Sequence, residues 1–178
     1  MIRTTLVAVV LVALAACSSG QVSDYSKLQP RLEVEQFFQG RLTAHGVVKD
    51  RGGRVIRTFN ADIDASWSEG VGTLTEEFVF DDGETQRRIW TLRRDGKDQY
   101  TGTAGDVVGE GRLQQAGNSV FLDYVLQVPY GDGSVDVRVD DRMYLVAPDV
   151  LINESRMSKF GWRVGNLILV ILRQPDGV

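Results

Sequence analysis

The chain has one cysteine, one histidine and four prolines in 178 residues. A lone cysteine excludes an internal disulfide, and no cluster of His, Cys and Asp has zinc spacing. No Gly-x-Ser-x-Gly elbow occurs, so the familiar serine-hydrolase arrangement is missing. No compact loop converges several oxygens, so neither a divalent metal nor another cofactor is expected. The net charge is −4 with a pI near 5.0, and no basic run occurs. Nucleic acid is therefore excluded as a partner. Long apolar runs are lacking too. Residues 6–16 form an unbroken apolar stretch, but a helix needs about 20 residues to cross a bilayer core.

What is present begins with that short stretch. Arg3, the apolar residues 6–16 and the small Ala15 and Ala16 before Cys17 compose a signal peptide over residues 1–16. Leu14-Ala15-Ala16-Cys17 resembles the lipobox of bacterial lipoproteins. That resemblance implies cleavage before Cys17 and acylation of Cys17, with palmitate-type chains as the contact to the membrane. Each buried methylene contributes ~0.8 kcal/mol, and stable anchoring takes two or more chains. Ser18, where Asp would retain the protein, resembles the outer-membrane sorting pattern. A periplasm-facing outer-membrane anchor is thus expected. Residues 17–30 then form a lipidated tether, polar and small over 18–27 and suited to a flexible linker.

Residues 31–175 have the length of one domain. Gly52-Gly53, Glu69-Gly70, Asp82-Gly83, Asp95-Gly96, Gly117-Asn118 and Asp132-Gly133 are turn signals at regular spacing. Between them lie strand-like runs at 55–67, 74–80, 85–94, 119–130, 134–146, 150–157 and 162–173. Within 55–67, Phe59, Ala61, Ile63, Ala65 and Trp67 alternate with Asn60, Asp62, Asp64 and Ser66. A short helix is expected over 31–39. The fold class is all-β: an antiparallel up-and-down barrel of 8–10 strands after a short N-terminal helix. A barrel is preferred to a sandwich because hairpin follows hairpin, and closure removes the strand edges. Residues 167–172 are apolar on both faces, which favours that strand lying beneath the N-terminal helix over lying against lipid.

Phe38-Gln39-Gly40-Arg41-Leu42 resembles the lipocalin entry motif, with Leu42 replacing its Trp. Asp81-Asp82-Gly83-Glu84, Arg87-Arg88-Ile89-Trp90, Asp106-Val107-Val108-Gly109, Asp140-Asp141-Arg142-Met143-Tyr144 and Met157-Ser158-Lys159-Phe160-Gly161 are similar to a bacterial lipoprotein family known only as a domain of unknown function. The similarity spans residues 31–173. It implies an envelope lipoprotein with a calycin-like barrel and no assigned activity.

The charges carry the functional reading. If Asp82-Gly83 is a two-residue turn, Glu77 faces Arg88, and one face holds Glu77, Arg88 and Trp90 together. The next hairpin sets Arg93 against Asp98. Ionised side chains inside a barrel need partners or water. They mark either a partly hydrated lumen that holds a polar head or a rim ion pair that sets strand register. Asp140 and Asp141 are adjacent in a strand and point to opposite faces. The ligand-binding candidates are Glu77, Arg88, Trp90, Tyr124 and Lys159, with Lys159 at the barrel mouth or in a turn. His45, in the first strand, has no catalytic partner in the pattern, and no enzymatic role is expected. The first function expected is binding or shuttling of a lipid, a fatty acyl compound or another amphipathic small molecule, in an internal cavity of order several hundred Å³ open at one end. The alternative is a packed barrel that docks an envelope protein partner through an exposed apolar patch.

Overall fold

The structure, a computed structural model, describes residues 20–175. Cys17 and the signal peptide lie outside the described residues. Ten strands follow in order: β1 (Gly40–Asp50), β2 (Val55–Ser68), β3 (Val71–Phe80), β4 (Thr85–Arg94), β5 (Gln99–Thr103), β6 (Gly111–Ala116), β7 (Ser119–Tyr130), β8 (Gly133–Ala147), β9 (Val150–Lys159) and β10 (Trp162–Arg173). Each pairs antiparallel with the next, and β10 returns to β1 from Leu42↔Arg173 to Asp50↔Gly165, closing the barrel. The up-and-down barrel expected from the hairpin pattern is the fold observed. Its ladder closes entirely within residues 20–175.

In β2 the period-2 alternation becomes two faces. Phe59, Ala61, Ile63 and Ala65 are buried, while Asn60, Asp62 and Asp64 face solvent. The helix expected over 31–39 is one turn, α1 (Val34–Phe37). So short a helix is unstable alone. It persists because Leu32, Val34, Phe37 and Phe38 are buried in one end of the barrel. Trp67 Nε1 donates to the Phe38 carbonyl at 2.8 Å, and Arg94 meets Glu35 at 2.6 Å on the rim. This is the closed end.

The flexible linker expected over 18–27 is corrected from Gly20 onwards. Residues 20–28 form a strap along the outer wall, with a 3₁₀ turn at Val22–Tyr25. The Tyr25 ring packs on Phe121 and Tyr144 at 5.6 and 5.3 Å. Gly117 has φ +55°, and a Cβ there would fall 1.8 Å from the Tyr25 carbonyl oxygen. Only glycine satisfies both the turn and the close approach. From Gly117 at the closed end the strap climbs to Gly20, whose carbonyl accepts from Arg142 Nη1 at 3.3 Å.

Two further expectations change. In β10, Leu167, Leu169 and Ile171 line the interior, but Ile168 is 40% exposed on the outer wall. The helix does not cover that strand; it plugs the barrel end. The β3–β4 connection is a three-residue loop, with Phe80 N donating to Glu84 O at 3.0 Å and Gly83 at φ +84°. A left-handed glycine at the third loop position is a common hairpin solution. It moves the register by one residue, to Glu76↔Arg88 and Glu77↔Arg87. Likewise Asp95 N donates to Gln99 O at 2.8 Å, so Arg93 faces Thr101 rather than Asp98. Asp98 accepts instead from Arg31 and Gln115.

Candidate functional site

The one-residue shift decides which acid is inside. With period 2, a slip exchanges the two faces of a strand. Glu77 is therefore not a lumen residue: it sits on the outer wall, paired with Arg87 at 2.9 Å, both more than half exposed. Glu76 takes the interior place, directly across from Arg88. Of the residues expected from the sequence, Arg88, Trp90 and Tyr124 do meet in the lumen, and the Trp90 and Tyr124 rings stand edge to face at 5.3 Å. Lys159 does not join them. It ends β9 beside the β9–β10 turn, its Nζ 5.0 Å from the Phe160 ring centroid. His45 is on the outer wall, its Nδ1 2.6 Å from Asn60 Oδ1. Among the described residues no group of three or more His, Cys, Asp or Glu is placed to hold a metal ion.

The interior contains a cavity of about 120 Å³. This corrects the several hundred Å³ expected. It approaches the ~150 Å³ of an engineered apolar cavity that admits benzene. Its walls are apolar, with Phe59, Leu74, Phe78, Met143 and Leu169 among them. Into these walls project Glu76 from β3, Arg88 from β4, Tyr124 from β7, Asp141 from β8, and Asn153 and Ser155 from β9.

Arg88 is already engaged. Its Nε and Nη2 donate to Asp106 at 2.9 and 2.7 Å, and Gln86 Nε2 donates to the same carboxylate at 3.3 Å. Asp106 comes from the loop 104–110. β5 pairs only with the last residues of β4, which leaves β4 residues 85–90 without that neighbour. The loop fills the gap, with Val108 N donating to Val125 O at 2.9 Å and Gln127 N to Asp106 O at 2.8 Å. On the β4 side the loop's side-chain ties to this stretch are the bonds from Arg88 and Gln86 to Asp106.

Glu76 is left over. Its Oε2 is 3.8 Å from Arg88 Nη1, shut off from solvent, and has no hydrogen-bond partner. Burial pushes its pKa up to about 7; Arg88 opposes the shift, and Asp106 and Asp141 add to it. Burial also pushes Asp141 up to about 6, against hydrogen bonds from Asn153 and Ser155. The Ser155 hydroxyl donates to Asp141 Oδ1 at 2.8 Å, and Asn153 Nδ2 donates to the same oxygen. Tyr124 is pushed well above its ordinary range, chiefly by burial. Burial alone would lower the Arg88 pKa, but hydrogen bonding to Asp106 and the Glu76 charge hold it above its ordinary value. The cavity thus holds one cation paired with Asp106, two acids that resist ionising, and a neutral phenol.

Sequence reasoning missed Glu76, Asp106, Asn153 and Ser155 as site residues and left Asp141 unassigned. Asp141 did carry a signal. Val135, Val137, Val139, Met143 and Leu145 occupy alternate positions of β8, and Asp141 is the polar interruption of that apolar face.

Residues 11–173 match the profile of a family described as "Protein of unknown function (DUF3833)". No curated protein matches the chain. Among solved structures, the S-type phycobiliprotein lyase of Guillardia theta is 15% identical with a TM-score of 0.60, covering 83% of this chain and 96% of its own. Rv2717c from M. tuberculosis is 16% identical with a TM-score of 0.59, covering 83% and 99%. At such identities the likeness shows the fold. It also corrects the expectation of no enzymatic role: a chain of this fold is named a lyase, so a barrel without familiar catalytic motifs does not set catalysis aside.

Proposed function

We propose, for a chain that belongs to the DUF3833 family and inherits no stated activity from it, that the barrel binds a small amphipathic molecule whose polar end donates hydrogen bonds. The observation that carries this reading is the unpartnered Glu76 Oε2 inside an otherwise apolar cavity. A buried acceptor without a donor costs free energy, and a ligand donor would remove that cost. The cation among the lumen's described residues, Arg88, is engaged by Asp106 through Nε and Nη2, so a fatty-acid carboxylate would compete with Asp106 for it and would meet Glu76 and Asp141. An amine, amide or hydroxyl head fits the charge; a flat ring or short chain fits the volume. The acylated Cys17 expected from the lipobox would hold this binding site at the outer membrane.

Benzylamine, benzyl alcohol and benzoate share one apolar body and differ in the head, which makes them the appropriate probes. In NMR titrations of a protein of residues 20–175, benzylamine and benzyl alcohol are expected to shift the Trp90 and Tyr124 signals. Benzoate is expected to bind at least tenfold more weakly, on the order of 1.4 kcal/mol. Glu76→Gln should reduce the benzylamine preference over benzoate. Equal binding of benzylamine and benzoate, or tighter binding of benzoate, would contradict the reading.

A further inference from the structure

The end of the barrel opposite α1 presents side chains that the lumen does not use. At the β9–β10 turn Phe160 is 89% and Trp162 73% exposed. Phe160 has φ +51° and Gly161 φ +79°. Paired positive φ angles make a two-residue hairpin turn that normally takes Asn or Gly at its first position. A bulky aromatic in the left-handed region is a backbone outlier. Here it holds a large apolar ring at the outermost point of the hairpin, in water. The β1–β2 hairpin stands alongside, tied by Arg163 Nη2 donating to the Arg51 carbonyl at 3.2 Å. It adds Val55, 48% exposed, and Ile56, 58% exposed.

The charge on these two hairpin tips is predominantly positive. Residues 49–56 and 159–164 supply Lys49, Arg51, Arg54, Lys159 and Arg163, and the accompanying carboxylate is Asp50, paired to Arg54 at 3.3 Å. The nearby β3–β4 turn is the reverse, with Asp81, Asp82 and Glu84 around Arg57. A chain of net charge −4 has therefore gathered cations about its exposed aromatic tips on one side of one end.

We infer that the β1–β2 and β9–β10 hairpin tips dock on an anionic bilayer surface. Trp and other amphipathic aromatics favour the level of the lipid headgroups, and Lys and Arg near the surface are drawn to anionic lipid. Phe160 and Trp162 enter the interface, the cations lie among the phosphates, and the acidic β3–β4 turn tilts away. The strap runs from the closed end towards this one only as far as Gly20, at the level of Arg142. The docking does not rest on a lumen ligand. An acyl anchor at Cys17 would raise the local concentration of the tips at the membrane without replacing their contacts.

The test uses a protein of residues 20–175, which has no acyl chain, with vesicles of phosphatidylethanolamine and phosphatidylglycerol and, separately, of phosphatidylcholine. The unmodified sequence is expected to co-sediment with the anionic vesicles and at least tenfold less with phosphatidylcholine. The double variant Phe160→Ala, Trp162→Ala should lose at least tenfold in partitioning. Both side chains are exposed, so its thermal transition should match the parent. Brominated acyl chains should quench fluorescence in the parent and not in Trp162→Phe, because Trp90 is buried and Trp67 is part-buried in the barrel. Failure of the parent to bind anionic vesicles, or undiminished binding by the double variant, would overturn the inference. So would vesicle-free self-association that the double variant abolishes, since the tips would then meet a second copy.

Discussion

Glu76→Gln is expected to stabilise the barrel at pH 8 and to leave it unchanged near pH 4. Glu76 ionises near 7 in the folded chain against an ordinary 4.5. Between those values the folded state keeps a proton that the unfolded chain has released, so stability falls as pH rises through the window. Below pH 4 both states are protonated and the cost disappears. Above pH 7 it is fully present, on the order of 3 kcal/mol. Glutamine has the same shape and no charge, so it removes the cost and flattens this part of the pH profile. Asp141, raised to about 6 from 3.8, leaves the variant a residual slope at lower pH. Urea unfolding at pH 4, 6 and 8 checks this. A variant no more stable than the parent at pH 8 would contradict the picture of Glu76 as a strained interior acid. A residue that weakens its own fold is one expected to serve a ligand.

Arg88→Ala is expected to act in the opposite direction, and strongly. Removing the guanidinium leaves Asp106 and Glu76 without their cation at positions only 24% and 15% exposed. Breaking a buried pair from one side costs about 3–5 kcal/mol. For a chain of this size that lowers Tm by roughly 10 °C. The loop 104–110 should loosen most, because its side-chain bond from Arg88 is gone, and its amides should exchange faster than those of the β7–β8 ladder. Arg87→Ala is the control. Its pair with Glu77 lies on the outer wall, and the loss should stay within about 0.5 kcal/mol. Similar Tm values for the two variants would show that the interior pair is not buried as described.

The same hairpin shows what was legible in the sequence. Alternation over residues 59–66 gave β2 its inner face correctly: Phe59, Ala61, Ile63 and Ala65 are buried and the acids between them exposed. The neighbouring β3–β4 pair has an acid and a large apolar group on both faces, so periodicity cannot choose between them. The turn alone sets the register, and Asp81-Asp82-Gly83 closes as three residues where Asp82-Gly83 suggests two. That single residue separates Glu77 outside from Glu76 inside. Asp106 was beyond reach for another reason. Its role comes from a loop filling the space beside β4 that the short β5 leaves, a matter of strand length and closure rather than of local pattern. The exposed Phe160 and Trp162 read simply as strand and turn residues, since exposure of an aromatic is invisible to sequence periodicity.

The measurement that reaches the central claim most directly is a carbon NMR titration of the Glu76 carboxyl group, assigned by its loss in Glu76→Gln, with and without benzylamine. The account expects a midpoint near 7 in the free protein. Bound benzylamine should move it down, because an ammonium donor at Oε2 favours the ionised carboxylate. A midpoint near the ordinary 4.5, unmoved by benzylamine, would contradict both the buried acid and the ligand it is proposed to receive.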